Sequence, residues 1–123
     1  MKSATTTLWR PTGPKELELL RKAGWRVWPP RLPEQPIFYP VLNEEYAIQI
    51  ARDWNAPRQG VGYVTRFNVE TAFVERYPVQ QVGGRTHVEL WVPADELDAF
   101  NAHIVGLIEV VHEFRSHPAD GRS

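Results

Sequence analysis

The chain has 123 residues, a formal net charge of −1 and 42% hydrophobic residues, the proportions of a single domain that can bury its own core. It has no cysteine, which excludes disulfides, thiolate metal sites, iron–sulfur clusters and a cysteine nucleophile. No apolar run approaches the ~18–20 residues that span a bilayer, and Met1 to Thr12 lacks the apolar stretch of a secretory signal, so a cytoplasmic protein without a membrane partner is expected.

Charge is unevenly spread. Residues 1–31 hold seven Lys/Arg against Glu16 and Glu18, which gives +5 and leaves −6 for the rest. Such a basic quarter either faces a phosphate-bearing ligand or consists of solvated helix and strand faces. A single domain over 1–123 is expected, with its ordered core from about residue 5 to about 115 and residues 116–123 as a tail.

Thr5 to Arg10 reads as a short strand, rich in β-branched and aromatic residues. Thr12-Gly13-Pro14 opens a helix that runs to about Ala23 and stops at Gly24, a usual residue just past a helix end. Trp25 to Trp28 reads as extended. Pro29 to Pro36 cannot be a helix or an inner strand, because each proline removes a donor and restricts the residue before it. The flanking Trp25, Trp28, Ile37, Phe38 and Tyr39 predict a loop packed on the domain, with a polyproline ligand as the other reading.

Ile37 to Leu42 is extended again. Asn43 is a good N-cap, and Glu44 and Glu45 suit the first turn of the helix it opens. Over 44–54 that helix places Ala47, Ile50, Ala51 and Trp54 on one core-facing stripe. Val61 to Glu70 alternates as a strand, Thr71 to Tyr77 suggests a helical turn, and Val82-Gly83-Gly84-Arg85 a tight turn. Thr86 to Val92 is the next strand. It sets Val88, Leu90 and Val92 on one face and His87, Glu89 and Trp91 on the other. Pro93 opens a short helix with Leu97, Phe100 and Ile104 on its apolar side, and Gly106 to Phe114 is a last strand. The order predicts an α+β domain on a mixed or antiparallel sheet with about three short helices.

The four histidines lack metal-ligand spacing, and there is no glycine-rich phosphate loop. The serines (Ser3, Ser116, Ser123) lie near the termini, so a serine triad is not expected. Three features remain. His87, Glu89 and Trp91 place a carboxylate between an imidazole and an indole on one strand face. Arg10 ends the first strand before a tight turn, where its planar fork suits phosphate or ribose oxygens. Phe38-Tyr39-Pro40 offers rings before a helix, either to stack on a planar ligand or to fill the core.

The runs Leu8-Trp9-Arg10-Pro11, Pro29 to Ala47 and His87 to Leu97, with Phe100-Asn101 and Ile104-Val105-Gly106, resemble a group of small bacterial proteins labelled "ADP-ribosylation/crystallin J1". The resemblance covers about Thr6 to Glu113. Of the two chemistries in that label, the large all-helical glycohydrolases do not suit so short and strand-rich a chain. ADP-ribosyltransferases, α+β folds around a split sheet, suit it better. The resemblance implies NAD as substrate and an unknown acceptor as second partner. Arg10 would hold the NAD phosphates or ribose, and Tyr39 with Phe38 would stack on nicotinamide. Glu89 would stabilise the oxocarbenium-like transition state, with His87 orienting Glu89 or the acceptor. No Ser-Thr-Ser is present, and His87 stands two residues before Glu89 where a second Glu or a Gln is usual, so the resemblance does not point to protein arginine as acceptor. RNA 2′-phosphotransferases share that fold, but the basic patch is weak for an RNA substrate. The other class of reading is a non-catalytic interaction module of immunity or adaptor type. It would present Trp9, Trp25, Trp28, Arg31 and Trp91 to a protein partner.

Overall fold

In the computed structural model, which describes residues 4–31, 34–85 and 87–116, the alternating run Val61–Glu70 is strand β3 at the heart of an antiparallel sheet. On one side β3 pairs with β1 (Thr5–Thr12), from Thr5 opposite Glu70 to Thr12 opposite Tyr63. On the other side it pairs with β7 (Ile104–Arg115) through two irregularities in register. Trp9 of β1 and Val41 exchange both backbone hydrogen bonds, at 2.9 and 2.7 Å, and Val41 bridges Glu89 in turn. Thus β5 (Val88–Glu89) joins the sheet, and β4 (Gln80–Gln81) pairs on its far side.

Two further short strands, β2 (Ile37–Phe38) and β6 (Val92–Pro93), continue the pairing of Val41 with Glu89 in the same register. Pro40 explains the interruption. Leu90 donates its N–H to the Pro40 carbonyl at 2.9 Å, but a proline has no N–H to return. The expected strand over Thr86–Val92 is therefore two short pieces around Leu90-Trp91, and Thr86 lies outside the described residues. The result is an α+β domain whose described strand pairings are all antiparallel.

Helix α1 (Pro14–Lys22) begins and ends close to expectation, with Gly24 in the left-handed region at φ +75°. Trp25 to Trp28 is not extended. It is a turn followed by a bend, with Trp25 itself at φ +65°, and Ile108 donates its N–H to the Trp25 carbonyl at 2.7 Å. Helix α2 (Glu44–Ile50) is capped by the Asn43 side chain, which accepts from the Tyr46 N–H at 3.1 Å. It does not continue as a regular helix. A π-helical turn (Ala51–Asn55) leads into α3 (Ala56–Gln59), and the extra residue of the π turn rotates the side chains beyond it around the axis. Asn55 therefore takes the buried place expected for Trp54, which is 50% exposed. Helix α4 (Thr71–Val74) is the helical turn after β3, and a 3₁₀ turn (Ala94–Glu96) precedes α5 (Leu97–Ala102).

Both sheet faces are covered. One packs Leu8, Phe67 and Leu90 against Leu20, Trp28, Phe38 and Phe100, with ring centroids 5.2 Å apart for Trp28–Phe38 and 5.6 Å for Phe38–Phe100. The other packs Val41 and Val64 against Ala47 and Ala51 of the α2 layer, with Trp9 and Tyr46 at its border. The described part of the proline segment is packed only in part: the Arg31 side chain is 7% exposed, but Pro30, Glu34, Gln35 and Pro36 face solvent. Leu32, Pro33 and the tail His117–Ser123 lie outside the described residues. Among the described residues no helix is long and apolar enough to cross a membrane, and no three His, Asp or Glu side chains are grouped to hold a metal ion.

Candidate functional site

Glu89 stands on the sheet face that α2 covers, because its bridge partner Val41 and the next strand's Trp9 belong to the α2-side cluster. Its residue is 8% exposed. Both carboxylate oxygens are held by neutral donors. The Tyr46 hydroxyl donates to Oε1 at 3.2 Å, and the Trp91 indole N–H donates to Oε2 at 2.7 Å. Among the described residues no Lys, Arg or His forms an ion pair with it. A buried carboxylate fixed in place but without a counter-ion attracts positive charge more strongly than one in water, because little solvent screens it.

Aromatic rings surround this group. The imidazole of His87 lies flat on the Tyr46 ring, with centroids 4.5 Å apart and planes 13° from parallel. The Gly84 N–H donates to His87 Nδ1 at 3.3 Å, which leaves the proton on Nε2, 3.3 Å from Gln49 Oε1. His87 thus stacks on the ring whose hydroxyl holds Glu89. Tyr39 packs edge-on to Trp91 at 6.4 Å, and both are open to solvent, at 41% and 45% exposure. Burial, together with the Glu89 charge and hydrogen bond, pushes the Tyr46 phenol up to about 12.

Arg10 and Phe38 lie on the opposite face. Alternation along β1 turns Leu8 and Arg10 toward the larger aromatic core while Trp9 faces α2. The Arg10 guanidinium sits 4.7 Å from the Phe38 ring centroid and 5.6 Å from that of Trp28. It is paired with Glu16 at 3.0 Å, and Arg31 pairs with the same carboxylate at 3.2 Å. Thr12 donates its hydroxyl to Glu16 at 2.8 Å. Burial alone would raise the Glu16 carboxyl, but the Arg10 charge, the hydrogen bonds from Thr12 and Arg10, and the Arg31 charge outweigh it and hold the group below its ordinary value. Burial and the neighbouring Arg10 charge lower Arg31 in turn, against the pull of Glu16.

Of the residues singled out from the sequence, the structure therefore gathers Tyr39, His87, Glu89 and Trp91 and sets Arg10 and Phe38 apart. One link joins the groups: Arg10 donates to the Tyr39 carbonyl at 3.3 Å. Tyr46 and Gln49, which complete the carboxylate site, were not among the sequence candidates. Their signal is positional, since they sit three apart on the helix that Asn43 caps, beside the apolar stripe and not in it. Glu16, the partner of Arg10, carries a similar cue as the acidic residue in the first turn of α1. No family model, curated protein or solved structure matches the chain.

Proposed function

We propose that the chain is an ADP-ribosyltransferase-like protein that takes NAD as substrate, with Glu89 as the catalytic residue. The observation that carries this reading is the Glu89 carboxylate, buried, hydrogen-bonded by Tyr46 and Trp91, without a counter-ion among the described residues, with His87 stacked on Tyr46 and Tyr39 packed on Trp91. The nicotinamide ring of NAD is a planar cation, and aromatic faces beside a carboxylate attract such a ring. As the bond from nicotinamide nitrogen to ribose C1′ breaks, its electron pair goes to the ring nitrogen and neutralises it. Positive charge then develops on the ribose, where a fixed negative group lowers the barrier. The acceptor's nucleophilic atom forms the new bond to C1′ and gives up its proton.

Tyr46 and Trp91 would hold Glu89 in one orientation, which limits reorganisation during the reaction. Arg10 is engaged by Glu16 and the Tyr39 carbonyl, which supports a role in fixing Tyr39 more than in gripping phosphate. The interaction-module reading is less well supported, because Trp28 is 1% exposed and Arg31 is held in an ion pair, so neither is offered to a partner.

The test is nicotinamide release from NAD by the purified protein, with and without cell lysate, beside Glu89→Gln and Tyr46→Phe. Release that needs Glu89 and persists at a reduced rate in Tyr46→Phe is the expected result. No release, together with no NAD binding by calorimetry, overturns the reading.

A further inference from the structure

Strand β7 lies on the far side of β3 from β1, Val41 and Glu89, and the two halves of its outer edge differ. Upstream, the Ile108 N–H donates to the Trp25 carbonyl at 2.7 Å, so the Trp25 turn covers that part of the edge. Downstream, the register shows which backbone groups are turned outward. The Ser116 N–H donates to the Gly60 carbonyl at 3.1 Å, and the pairing runs on with Phe114 opposite Gly62 and His112 opposite Val64. Hydrogen-bonded pairs alternate along an antiparallel ladder. Phe114 and His112 therefore turn their backbone groups to β3, while Glu113 and Arg115 turn theirs outward. Among the described residues these outward groups have no backbone partner. An open edge of this kind is a template for another strand.

The side chains select which strand. Charge on an edge ordinarily blunts it, but here the two charges are opposite in sign and two residues apart. Glu113 and Arg115, with side chains 43% and 68% exposed, share one face, and Phe114 between them lies on the α2 face. When this run is reversed against a copy of itself about Phe114, Glu113 falls opposite Arg115 of the second copy, and Arg115 opposite its Glu113. Both charge pairs occupy hydrogen-bonded positions. The two Phe114 rings meet at the non-bonded position between them, where opposed side chains approach most closely. An axis through Glu113 or through Arg115 would oppose like charges instead, so the charges fix one register.

We propose that this edge binds the same edge of a second copy of the chain, antiparallel about a two-fold axis at Phe114, so that the sheets of the two copies run on as one. Such an interface is self-complementary, as two-fold symmetry requires. Pairing over so few residues makes a small contact, in the class of weak and transient complexes. Glu89 stands toward the other edge of the sheet, so the proposal does not rest on the reading of that residue.

Sedimentation equilibrium between about 10 µM and 1 mM protein tests it, with a dimer dissociation constant of about 100 µM expected for the wild type. Glu113→Arg and Arg115→Glu are each expected to weaken the dimer by about tenfold or more, because each places like charges opposite one another. An equimolar mixture of the two single variants is expected to associate, since one then presents two cations and the other two anions. The double variant Glu113→Arg/Arg115→Glu is expected to recover the wild-type dimer, which also shows that the substitutions leave the fold intact. The proposal is overturned if the wild type stays monomeric at about 1 mM, or if the single variants dimerise as well as wild type, which would put any dimer on another surface. It is also overturned if neither the mixture nor the double variant recovers association.

Discussion

The Trp91 indole N–H donates to Glu89 Oε2 at 2.7 Å, from a residue two positions along the same chain segment and on the same side of it. With Tyr46 on Oε1, the carboxylate accepts from both sides. A glutamine at this position can present only one acceptor oxygen, and its amide N–H₂ would face a donor. Glu89→Gln is therefore expected to cost about 1–3 kcal/mol of stability as well as its effect on NAD chemistry. Urea unfolding measures this, and a stability equal to wild type would mean that the two donors do not both engage the carboxylate.

The Tyr46 phenol reports the same contact by titration. Its neutral form is favoured by burial and by Glu89, so its folded value lies near 12 against an ordinary 10.0. The stability this contributes is present below pH 10 and is lost as the pH rises through about 12. In Glu89→Gln the tyrosinate absorbance of this residue should appear at lower pH. An unchanged titration would remove the Glu89 charge as a cause.

Glu16 is the only carboxylate facing Arg10 and Arg31 across the described ion pairs. Glu16→Gln would leave two guanidinium groups buried beside one another, and a loss of about 3–5 kcal/mol is expected. The pH sign is opposite to that of Tyr46. A carboxyl lowered in the folded state stabilises fully above its unfolded value and loses that contribution as pH falls through the folded one. Acid unfolding of Glu16→Gln should accordingly show a shallower fall in stability below pH ~4 than wild type. A loss under about 1 kcal/mol at neutral pH would show that the triad carries little net stability.

Gly62 and Gly13 make a contrasting pair. A Cβ built on Gly62 would lie 2.1 Å from the Ala51 carbonyl oxygen, a backbone atom of the π turn that cannot step aside alone. A Cβ on Gly13 would lie 1.9 Å from Gln59 Oε1, the end of an exposed side chain that can swing aside at the loss of the hydrogen bond it accepts from Asn55 Nδ2. Gly62→Ala is expected to destabilise by about 1–3 kcal/mol or more, and Gly13→Ala by under about 1 kcal/mol. Equal midpoints in thermal unfolding would count against the close packing of β3 on the π turn.

Much of the architecture was legible in local pattern. The Asn43 cap, the start of α1, the alternation of Val61–Glu70 and the sidedness of His87, Glu89 and Trp91 all arise from nearest-neighbour chemistry. The expectations that failed depended on distant partners. The π turn that buries Asn55 in place of Trp54 breaks the helical period without a sequence cue such as an early glycine. The gap in the strand after Glu89 arises from Pro40 on the opposing segment. Arg10 ends a strand as expected, but whether it faces ligand or core is decided by Glu16, Phe38 and Trp28, which reach it only in the folded chain.

The placement of β1 between Val41 and β3 has a kinetic consequence. Its contacts close long loops, as the hydrogen bond between Thr6 and Thr71, 65 positions apart, shows. Apart from the contacts of Arg10 and Thr12 with Glu16, its pairing is with distant segments, and loop entropy must be met before that pairing is rewarded. The segments that form early would be the local ones, α1 and the β4–β5 hairpin, and the assembly of β1 into the sheet would set the pace. Folding on the millisecond-to-second scale of non-local β proteins is the expected outcome, slower than the helix content alone would suggest.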